Sequence, residues 1–428
     1  MLTKKRVLIF PCGSEIGLEI NRALSHDIHF EMFGASSIPD HGKFVFKNYI
    51  DRVPFVNDEN FIDEIEAICQ KYNIDFIIPA HDSVVLKLAQ NSHKLSAKVI
   101  TSPKETCETA RSKKKTYEIL KNTIKCPKIY QISDKNIPYP VFIKPDVGQG
   151  SKGAAKIMNF AELKTEFDKN PDIIISEFLP GKEYTIDCFT NRHGQLLFAK
   201  GRVRARISNG ISVNSYPVDN NEFYEIAEKI NNKLKFQGMW FFQLKSDKNG
   251  ELTLLEIAPR IAGTMGMYRG LGINFAQLAL YDAMENNIKV IENNFYIETD
   301  RALFSRYKHD ISYEYVYIDL DDTILLDDKI NLNAIKFLYQ AKNENKKIIL
   351  ITKHEKIVED TLFDFCISKN LFSEIISVKK NDKKSRYITH QNAIFIDDSF
   401  AERLDVAQNL QIPVFGIDAI EVLTNYKT

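Results

Sequence analysis

Short apolar runs alternate with segments of helical periodicity through the first hundred residues. This alternation predicts a Rossmann-like α/β unit, because buried parallel strands are continuously apolar and their crossover helices are amphipathic. The predicted strands and helices are, in chain order, Val7–Phe10, Leu18–Leu24, Phe61–Tyr72, Phe76–Pro79, Val84–Gln90 and a strand from Val99. The turns after two of the strands carry Gly13, Ser14, His81 and Asp82, where open parallel sheets bind ligands. His81 and Asp82 are equally suited to capping the helix that follows them.

Residues 102–308 carry a different pattern, with strands that return on themselves around a glycine-rich break. The predicted elements are a helix pair within Glu105–Leu120, strands at Val141–Ile143 and Ala154–Met158, two strands within Ile173–Phe189, and a hairpin of Met239–Lys245 and Glu251–Arg260. A linker that contains two prolines separates the helices from the first strand. We therefore expect a separate α+β unit here.

After Asp310 the alternation of strands and helices begins again. The predicted elements are strands at Tyr315–Ile318, Lys347–Thr352, Ala393–Ile396 and Ile412–Gly416, with a helix at Asn333–Asn345. Together the three patterns predict a multidomain protein of α/β and α+β class. The expected domains are residues 1–101, 102–308 and 311–428, which suits a chain of 428 residues.

Composition narrows the class of protein without naming a chemistry. The chain is 44% hydrophobic and 27% charged, as soluble globular proteins are. Lys plus Arg and Asp plus Glu both total 57, so no net charge favours nucleic acid or an anionic membrane. Six scattered cysteines without a CxxC pair suit a reducing compartment. The apolar run that ends at Pro11 is too short for a signal or membrane segment, so we expect a cytoplasmic protein.

The glycine-rich break between the strands at Val141–Ile143 and Ala154–Met158 is the first candidate site. Gly148, Gly150 and Gly153 let backbone N–H groups approach an anion, and a lysine, Lys144, ends the strand before them. The Gly-x-Gly-x-x-Gly spacing matches a dinucleotide fingerprint, but that motif needs a helix after the loop, where a strand is predicted. A tight hairpin with solvated lysines is the plain alternative.

One acid, Glu256, ends a later apolar strand, where burial is costly unless the carboxylate is paired or binds a metal. The glycine loop, Ser112-Lys113, Lys144, the acids near 177–183 and Glu256-Ile-Ala-Pro-Arg260 occur in an order that resembles the ATP-grasp superfamily. The resemblance is to members of the carbamoyl phosphate synthetase type. It covers about residues 1–305, including a Rossmann-like pre-ATP-grasp domain followed by the ATP-grasp fold.

The resemblance implies sites for ATP and for Mg²⁺ or Mn²⁺. The ATP ligands that it implies are Lys113, Lys144, Gly150, Ser151 and Gly153 on the phosphates, Glu177, Phe178 and Leu179 at the adenine, and Glu183 at the ribose. Gln243 and Glu256 would hold the metal, and Arg260 would contact the transferred phosphate or the substrate. In the family, a carboxylate phosphorylated by ATP reacts with an amine to give an amide.

Two features of this motif set remain open. The family usually has Asn where this chain has Ala258, so that Glu256 is the one carboxylate that the motif supplies, with Asp187 as a candidate helper. The segments Val203–Arg206 and Gly270–Gly272 lie where an acceptor would be recognised. Two arginines on one strand suit a carboxylate, but exposed strand charges are the equal alternative.

Acidic pairs end two predicted strands of the third domain. Asp319 and Asp321 follow the first strand, and Asp397-Asp398 follows a later one. Carboxylates that meet at one sheet edge repel each other unless a cation lies between them, which favours a Mg²⁺ site over helix caps. The Asp319-x-Asp321-x-Thr323 motif and the second pair resemble the haloacid dehalogenase (HAD) superfamily of phosphatases over residues 311–428, with a Rossmannoid fold.

This second resemblance implies an Mg²⁺-dependent phosphatase. Its implied residues are Asp319 as nucleophile, Asp321 as general acid/base, Thr352 and a lysine at the phosphoryl group, and Asp319, Asp321 and Asp397 at the metal. The lysine is one of Lys379, Lys380, Lys383 and Lys384; we favour Lys384, which opens the helix before the Asp397 strand. The motif spacing leaves no room for a cap domain, and we expect the ATP-grasp part to cover the site.

The leading hypothesis is a bifunctional enzyme, in which a ligase joins a carboxylate to an amine and a phosphatase acts on a phosphoester of the same pathway. The partners expected are small molecules, with no nucleic acid and no membrane, and a homo-oligomer remains open. Two alternatives stand beside it. The ATP-grasp part is a degenerate nucleotide sensor, which Ala258 favours, or it is a kinase whose product the phosphatase removes.

Overall fold

A parallel sheet with helices on both faces forms the first domain. The computed structural model describes residues 4–148, 150, 152–208, 210–302 and 305–424. The elements of this domain are β1 (Lys5–Phe10), α1 (Glu15–Leu24), β2 (Phe30–Ala35), β3 (Asn48–Ile50), α2 (Phe61–Tyr72), β4 (Phe76–Pro79), α3 (Asp82–Gln90) and β5 (Lys98–Val99). All strands are parallel, in the order β3-β2-β1-β4-β5. The chain adds strands to one side of β1 and then to the other, so the turns after the neighbouring strands β1 and β4 lie side by side.

The second domain contains two antiparallel sheets. Its first part comprises α4 (Lys104–Arg111), α5 (Lys113–Leu120), β6 (Ile129–Tyr130), β7 (Val141–Pro145), β8 (Ala155–Ile157), α6 (Phe160–Lys169) and β9 (Ile173–Glu177). These four strands pair in the order β6-β9-β7-β8. The strand predicted at Ala154–Met158 is present as β8, so the glycine loop is a hairpin connection rather than a helix start.

The larger sheet of the second domain has seven strands in the order β14-β13-β10-β11-β12-β15-β16. Its elements are β10 (Glu183–Thr190), β11 (Leu196–Ser208), β12 (Ile211–Val218), α7 (Asn221–Lys233), β13 (Gly238–Ser246), β14 (Leu252–Ala258), α8 (Gly266–Gly270), α9 (Phe275–Ala283), β15 (Ile297–Arg301) and β16 (Ser305–His309). The hairpin predicted around Asp247–Gly250 is β13–β14. The sequence analysis expected a strand at Val203–Arg206, but it predicted neither the full length of β11 nor the presence of β12.

The third domain repeats the parallel α/β arrangement. Its elements are β17 (Tyr315–Ile318), β18 (Leu325–Leu326), β19 (Lys329–Ile330), α10 (Leu332–Asn343), β20 (Lys347–Thr352), α11 (Val358–Asp364), β21 (Glu374–Ser377), β22 (Ala393–Ile396), α12 (Phe400–Leu410), β23 (Val414–Phe415) and α13 (Ile420–Leu423). The order β21-β20-β17-β22-β23 puts β17 at the centre. The polar residues after β17, β20 and β22 therefore meet at one edge. No described helix is both long enough and apolar enough to cross a membrane.

The three domains share buried contacts. One apolar core combines Val7 and Ile9 of β1 with Tyr268 and Phe275 of the second domain, and also takes in Val422 of α13. The third domain is held by a side chain at its sheet edge, because Asn293 donates to the Val414 carbonyl (2.7 Å) and accepts from the Val414 N–H (3.1 Å). Asn293 thereby occupies the open hydrogen-bonding edge of β23.

Arg269 of α8 is the charged centre of this junction, and it is only 2% exposed. Its guanidinium donates to Glu19 of the first domain at 2.9 Å (Nε to Oε1). It also donates to Glu421 (2.9 Å) and to the Asp418 carbonyl (2.5 Å) of the third domain. A buried guanidinium with these partners fixes the three domains relative to one another.

We expect Arg269→Ala to lower the free energy of unfolding by about 3–5 kcal/mol, because it leaves the buried Glu19 with only Arg22, at 3.8 Å, as a counter-charge. Urea unfolding followed by intrinsic fluorescence measures the change. The matched control is Arg206→Ala, which removes an ion pair with Asp300 whose arginine side chain is 60% exposed and costs less than about 1 kcal/mol. Equal losses in the two variants would contradict the assignment of Arg269 as the junction.

Candidate active sites

A cavity of about 130 Å³ lies between the two sheets of the second domain. Besides Gly150 of the glycine loop, it is lined by five of the residues predicted to contact ATP or metal: Lys113, Lys144, Glu183, Gln243 and Glu256. They come from α5, β7, β10, β13 and β14, so that residues up to 143 positions apart in the chain meet at one point. The cavity carries three ammonium groups, one guanidinium and two carboxylates, a set suited to an anion that binds together with a cation.

Lys144 is buried in this cavity. Its Nζ lies 2.6 Å from the hydroxyl of Tyr117 and 3.4 Å from the carbonyl oxygen of Leu255. Burial, together with the positive charge of Lys113, lowers the pKa of Lys144 to about 8. Lys113 and Lys144 therefore repel each other, and a bound anion would relieve that repulsion.

The lysine-bearing start of α5 is fixed by Asp146, a residue that the sequence analysis did not select. The Asp146 carboxylate accepts from the Ser112 hydroxyl (2.8 Å) and from the Lys114 N–H (2.7 Å). Lys113 Nζ lies 3.3 Å from the carbonyl oxygen of Asp146. An acid placed directly after β7 and a serine at the N-cap were the available signals.

The glycine loop arches over the cavity. Gly150 and Gly153 have φ of 63° and 73°, a left-handed conformation that favours glycine. Gly150 packs against the β11–β12 turn, where a Cβ on Gly210 would lie 2.4 Å from the backbone of Gly150. Ser151, predicted to bind phosphate, lies outside the described residues.

The predicted adenine segment runs from the end of β9 towards β10. Glu177 accepts from the N–H of Lys128 (2.9 Å), and Leu179 is buried. The Phe178 ring lies 4.5 Å from the Nζ of Lys156. The segment therefore joins the two sheets that enclose the cavity, but Glu177, Phe178 and Leu179 are not among the residues that line it.

Arginine side chains contact several of the residues that were predicted to bind a metal or ATP in this cavity. Gln243 and Glu256 are register partners on β13 and β14, but the Gln243 side-chain oxygen accepts from Arg204 at 3.1 Å. Arg204 also pairs with Glu183, the predicted ribose ligand. Asp187, the candidate helper, instead forms a bidentate pair with Arg202. Glu256 is thus the ligand on which a metal here depends.

A larger cavity of about 370 Å³ adjoins the first and reaches the carboxyl ends of β1 and β4. Arg260 lies in it and forms a fork with the Asp82 carboxylate, at 2.5 Å and 2.8 Å. Burial opposes ionisation of Asp82, but the charge and hydrogen bonds of Arg260 outweigh it and lower its pKa. The predicted docking residues Ser14 and His81 line the same cavity.

Arg202 is the residue of this cavity that the sequence analysis missed. It is 1% exposed, and its Nη1 has no hydrogen-bond partner, although Nε and Nη2 contact Asp187. Of the predicted pair in Val203–Arg206, Arg204 lines the cavity, whereas Arg206 points outward to Asp300. The predicted acceptor segment Gly270–Gly272 lies elsewhere, with Gly272 lining an interdomain cavity.

A cluster of carboxylates lies at the carboxyl edge of the third sheet. Asp319, Asp397 and Asp398 each offer an oxygen within 4.8 Å of the others; in the described parts of the chain this is the only such group of three potential metal ligands. Lys384 Nζ lies 2.7 Å from Asp319 Oδ1 and 2.6 Å from Asp397 Oδ2. Three acids around one lysine leave excess negative charge, which fits a divalent cation.

The sequence analysis predicted Asp321 to be one of the metal ligands, but Asp321 lies outside this cluster. Its carboxylate is held by His354 Nδ1 at 2.8 Å and 3.0 Å, while His354 Nε2 contacts the Thr361 hydroxyl. The third carboxylate of the cluster is Asp398. Asp321 remains next to the site on the half-exposed turn after β17, where a general acid would meet a leaving group.

The remaining predicted groups of this site are buried beside the cluster. Thr352 ends β20 and is inaccessible to solvent, with its hydroxyl accepting from the N–H of His354 (3.2 Å). Among the four candidate lysines, Lys384 is the buried one that reaches the carboxylates. The other three are exposed, and Lys380 pairs with Glu355 at the surface.

The carboxylates of the cluster are destabilised in their charged form. Burial raises the pKa of Asp319 to about 6, against the opposing charge of Lys384. Burial and neighbouring carboxylates raise the pKa values of Asp397 and Asp398 to about 7. A cation bound between them would remove this penalty.

Comparison with protein families identifies two segments of the chain. Residues 169–300 match the model described as ATP-grasp in the biosynthetic pathway with Ter operon. Residues 47–102 match the model of the PylC-like N-terminal domain. Comparison with curated proteins gives no match.

Solved structures share the fold over 70% of this chain. The biotin carboxylase domain of 2-oxoglutarate carboxylase from Hydrogenobacter thermophilus, a dimer with MgADP, ADP and bicarbonate, has 15% identity, 75% of its length covered and a TM-score of 0.59. N5-carboxyaminoimidazole synthetase from Staphylococcus aureus with ADP has 16% identity, 83% coverage and a TM-score of 0.58. The L-amino acid ligase of Bacillus licheniformis has 18% identity, 80% coverage and a TM-score of 0.56.

These likenesses and the geometry define the class of protein. The chain has a mixed α/β architecture with an ATP-grasp fold, as the sequence analysis predicted. Neither matching family model extends beyond residue 300. The HAD domain expected over residues 311–428 therefore stays a prediction, to which the structure adds the parallel sheet and the carboxylate cluster.

The carboxylate cluster makes stability depend on pH. The raised pKa of Asp398 means that the metal-free protein loses stability as the pH rises from about 4 to about 7, since folding must then bury an ionised acid. We expect Asp398→Asn in EDTA to be more stable than the parent by roughly 2 kcal/mol near pH 8, and equally stable near pH 4. Denaturant titrations at both pH values measure this.

The control is Asp360→Asn, which removes an exposed acid of α11 and should leave the pH profile unchanged. A gain for Asp398→Asn that is the same at both pH values would contradict repulsion as its cause.

Proposed function

We propose that this protein is a bifunctional enzyme. Residues 1–308 act as an ATP-dependent carboxylate–amine ligase, and residues 311–428 act as a metal-dependent phosphatase. The observation that supports the ligase most is the pair of adjoining cavities, one with Lys113 and Lys144 and the other with the buried, unpartnered Nη1 of Arg202. A polyphosphate fits the first, and the carboxylate that accepts its terminal phosphate fits the second.

ATP and Mg²⁺ are the proposed cofactors of the ligase. Solved structures of the same fold contain ADP or MgADP, and the present cavity has the charges that such a ligand needs. Lys113 and Lys144 would contact phosphate oxygens, the Gly148–Gly153 loop would cover them, and Phe178 would border the base. Glu256 would supply the charged oxygen for Mg²⁺, which screens phosphate charge when it is bound.

The acceptor carboxylate would lie between Arg202 and Arg260. One of its oxygens attacks the terminal phosphorus, the bond to ADP breaks, and an acyl phosphate forms. The amine then attacks the acyl carbon, phosphate leaves, and an amide results. Residues of this chain hold the reactants in line and neutralise oxygen charge, which is the main task of an enzyme in phosphoryl transfer. The named amino acid ligase among the fold neighbours is consistent with this class of reaction.

The phosphatase is supported by side-chain geometry in the third domain. Asp319 would attack the phosphorus of a monoester, with Lys384 2.7 Å from its carboxylate and Thr352 at the carboxyl end of the neighbouring strand β20. Asp321, oriented by His354, would give a proton to the departing alcohol. Water then attacks the phosphorus of the aspartyl phosphate, releasing phosphate and restoring Asp319. Asp319, Asp397 and Asp398 would hold Mg²⁺, which offsets the charge of the phosphoryl oxygens.

A second candidate function is nucleotide sensing by a ligase domain without turnover. The observation that favours it is the metal position, where Ala258 supplies no oxygen and the Gln243 oxygen is already taken by Arg204. A single carboxylate holds Mg²⁺ less firmly than two.

An acceptor screen separates these functions. Purified Asp319→Asn protein, in which the phosphatase is silenced, is incubated with ATP, Mg²⁺ and pools of carboxylates and amines. We expect ADP release to rise about tenfold or more when both pools are present, with a product mass equal to that of an amide. ADP and a phosphoester without need of an amine would instead indicate a kinase, and no ADP with any pool would favour the sensor.

The lowered pKa of Lys144 gives the ligase site a pH signature. Because the neutral amine no longer attracts phosphate, affinity for ATP should fall above about pH 8, by up to about tenfold per pH unit. Lys144→Arg keeps its charge and should show a flatter profile, whereas Lys144→Ala should bind weakly at every pH. Calorimetric titration measures the three affinities. Identical profiles for the parent and Lys144→Arg would contradict a role for Lys144 in phosphate binding.

A further inference from the structure

A third cavity, of about 480 Å³, lies where the three domains meet. Residues of the first domain, of the second domain and of the carboxyl edge of the third domain line it together. Those that matter here are Ile28, His29, Tyr281, Ile288, Asp398 and Phe400. A volume of this size accommodates a small organic molecule.

The cavity opens directly beside the carboxylate cluster. Asp398 lines the cavity and also belongs to the cluster, in which its oxygen lies within 4.8 Å of an oxygen of Asp319. The start of α12, at Phe400 and Ala401, forms the adjoining wall. A phosphoryl group at Asp319 would therefore have this cavity as a neighbouring space for the rest of its molecule.

The third domain brings no lid of its own to this space. Between Asp319 and Thr352 its described elements are the β18–β19 hairpin and α10. The loop of that hairpin is contacted from outside, because Lys4 of the first domain reaches Asp327 at 3.4 Å. A contact from the first domain therefore reaches this edge of the third domain, and the cover that the spacing of the motifs predicts stays a prediction.

His29 of the first domain and Tyr281 of the second domain line the same cavity as Asp398 of the cluster. The Tyr281 hydroxyl lies 2.9 Å from His29 Nδ1, which also lies 3.2 Å from Asp27. Asp27 accepts in turn from Gln277 (2.6 Å), so the arrangement is tied to α9. The pKa of His29 is raised first by the bond to Asp27 and further by the charges of Asp398 and Asp322, in keeping with its place above the site.

We propose that the three-domain cavity holds the organic group of the phosphatase substrate, a phosphate monoester of a small and mainly apolar alcohol. Apolar atoms make up most of the lining surface, with Ile28, Ile288 and Phe400 among the apolar side chains. His29 and Tyr281 belong to a polar part of the lining, with Asn286, Asn287 and Lys289, which can fix an orientation. This inference rests on the proposed phosphatase function of the third domain. It assigns substrate selection to residues of the ligase part of the chain.

The test compares 2-phenylethyl phosphate with methyl phosphate. Their alcohols leave with similar ease, but only the first has a group that reaches the cavity. The parent enzyme should prefer 2-phenylethyl phosphate by about tenfold or more in kcat/KM. Ile288→Trp, which fills the cavity away from Asp319, should abolish that preference while methyl phosphate is still hydrolysed. Because each ratio is taken within one variant, a loss of folded protein cancels.

Ile38→Trp, a matched substitution at an exposed site of the first domain, should keep the preference of the parent. A second readout without turnover is calorimetric binding of 2-phenylethyl phosphate to Asp319→Asn, which should weaken about tenfold when Ile288→Trp is added. A parent without the preference, or an Ile288→Trp ratio equal to that of the parent, would overturn the proposal. If the parent hydrolyses neither ester, the proposed phosphatase itself fails.

Discussion

The buried guanidinium of Arg269 is the interaction on which the arrangement of this protein depends. Removing its charge from water is costly, and the cost is met only while Glu19, Glu421 and the Asp418 carbonyl surround it together. Those partners belong to the first and third domains, so neither can move away without leaving a charge unpaired. The ATP-grasp cavities and the carboxylate cluster are therefore held at a fixed separation within one rigid junction.

Each of the two candidate sites buries side chains of like charge close together, lysines in one and carboxylates in the other. In the ATP-grasp domain, the pKa of Lys144 is lowered because the lysine is buried beside Lys113. In the third domain, the pKa values of Asp397 and Asp398 are raised because both are buried in a cluster of acids. Each site is least stable when its ionisable groups are charged and no counter-charge is bound. Both are thus organised for a ligand of opposite sign, a polyphosphate in one and a divalent cation in the other.

Neighbouring residues in the sequence were enough to select the motif residues. They were not enough for residues whose position depends on how distant strands pack together. A lysine ending a strand before a glycine loop, or acids directly after β17 and β22, can be read from neighbouring residues. Arg202 could not, because the strand expected at Val203–Arg206 leaves out the part of β11 that buries Arg202 against Asp187. A register shift between Arg204 and Arg206 turns the latter outward, although alternate residues of a regular strand share a face. Arg260 and Asp82 are 178 positions apart in the chain and belong to different domains, so neighbouring residues do not predict their ion pair.

The side-chain amide of Asn293 bears on whether the third domain can be separated from the second. Its two hydrogen bonds pair the outward-facing N–H and C=O groups of Val414 in the edge strand β23. Unpaired groups at such an edge can form hydrogen bonds with a strand of another chain, which leads to aggregation. The third domain thus depends on a residue of the second domain to pair this edge of its sheet. Moving residues 311–428 into another protein would leave that edge unpaired, so the unit is not an interchangeable module.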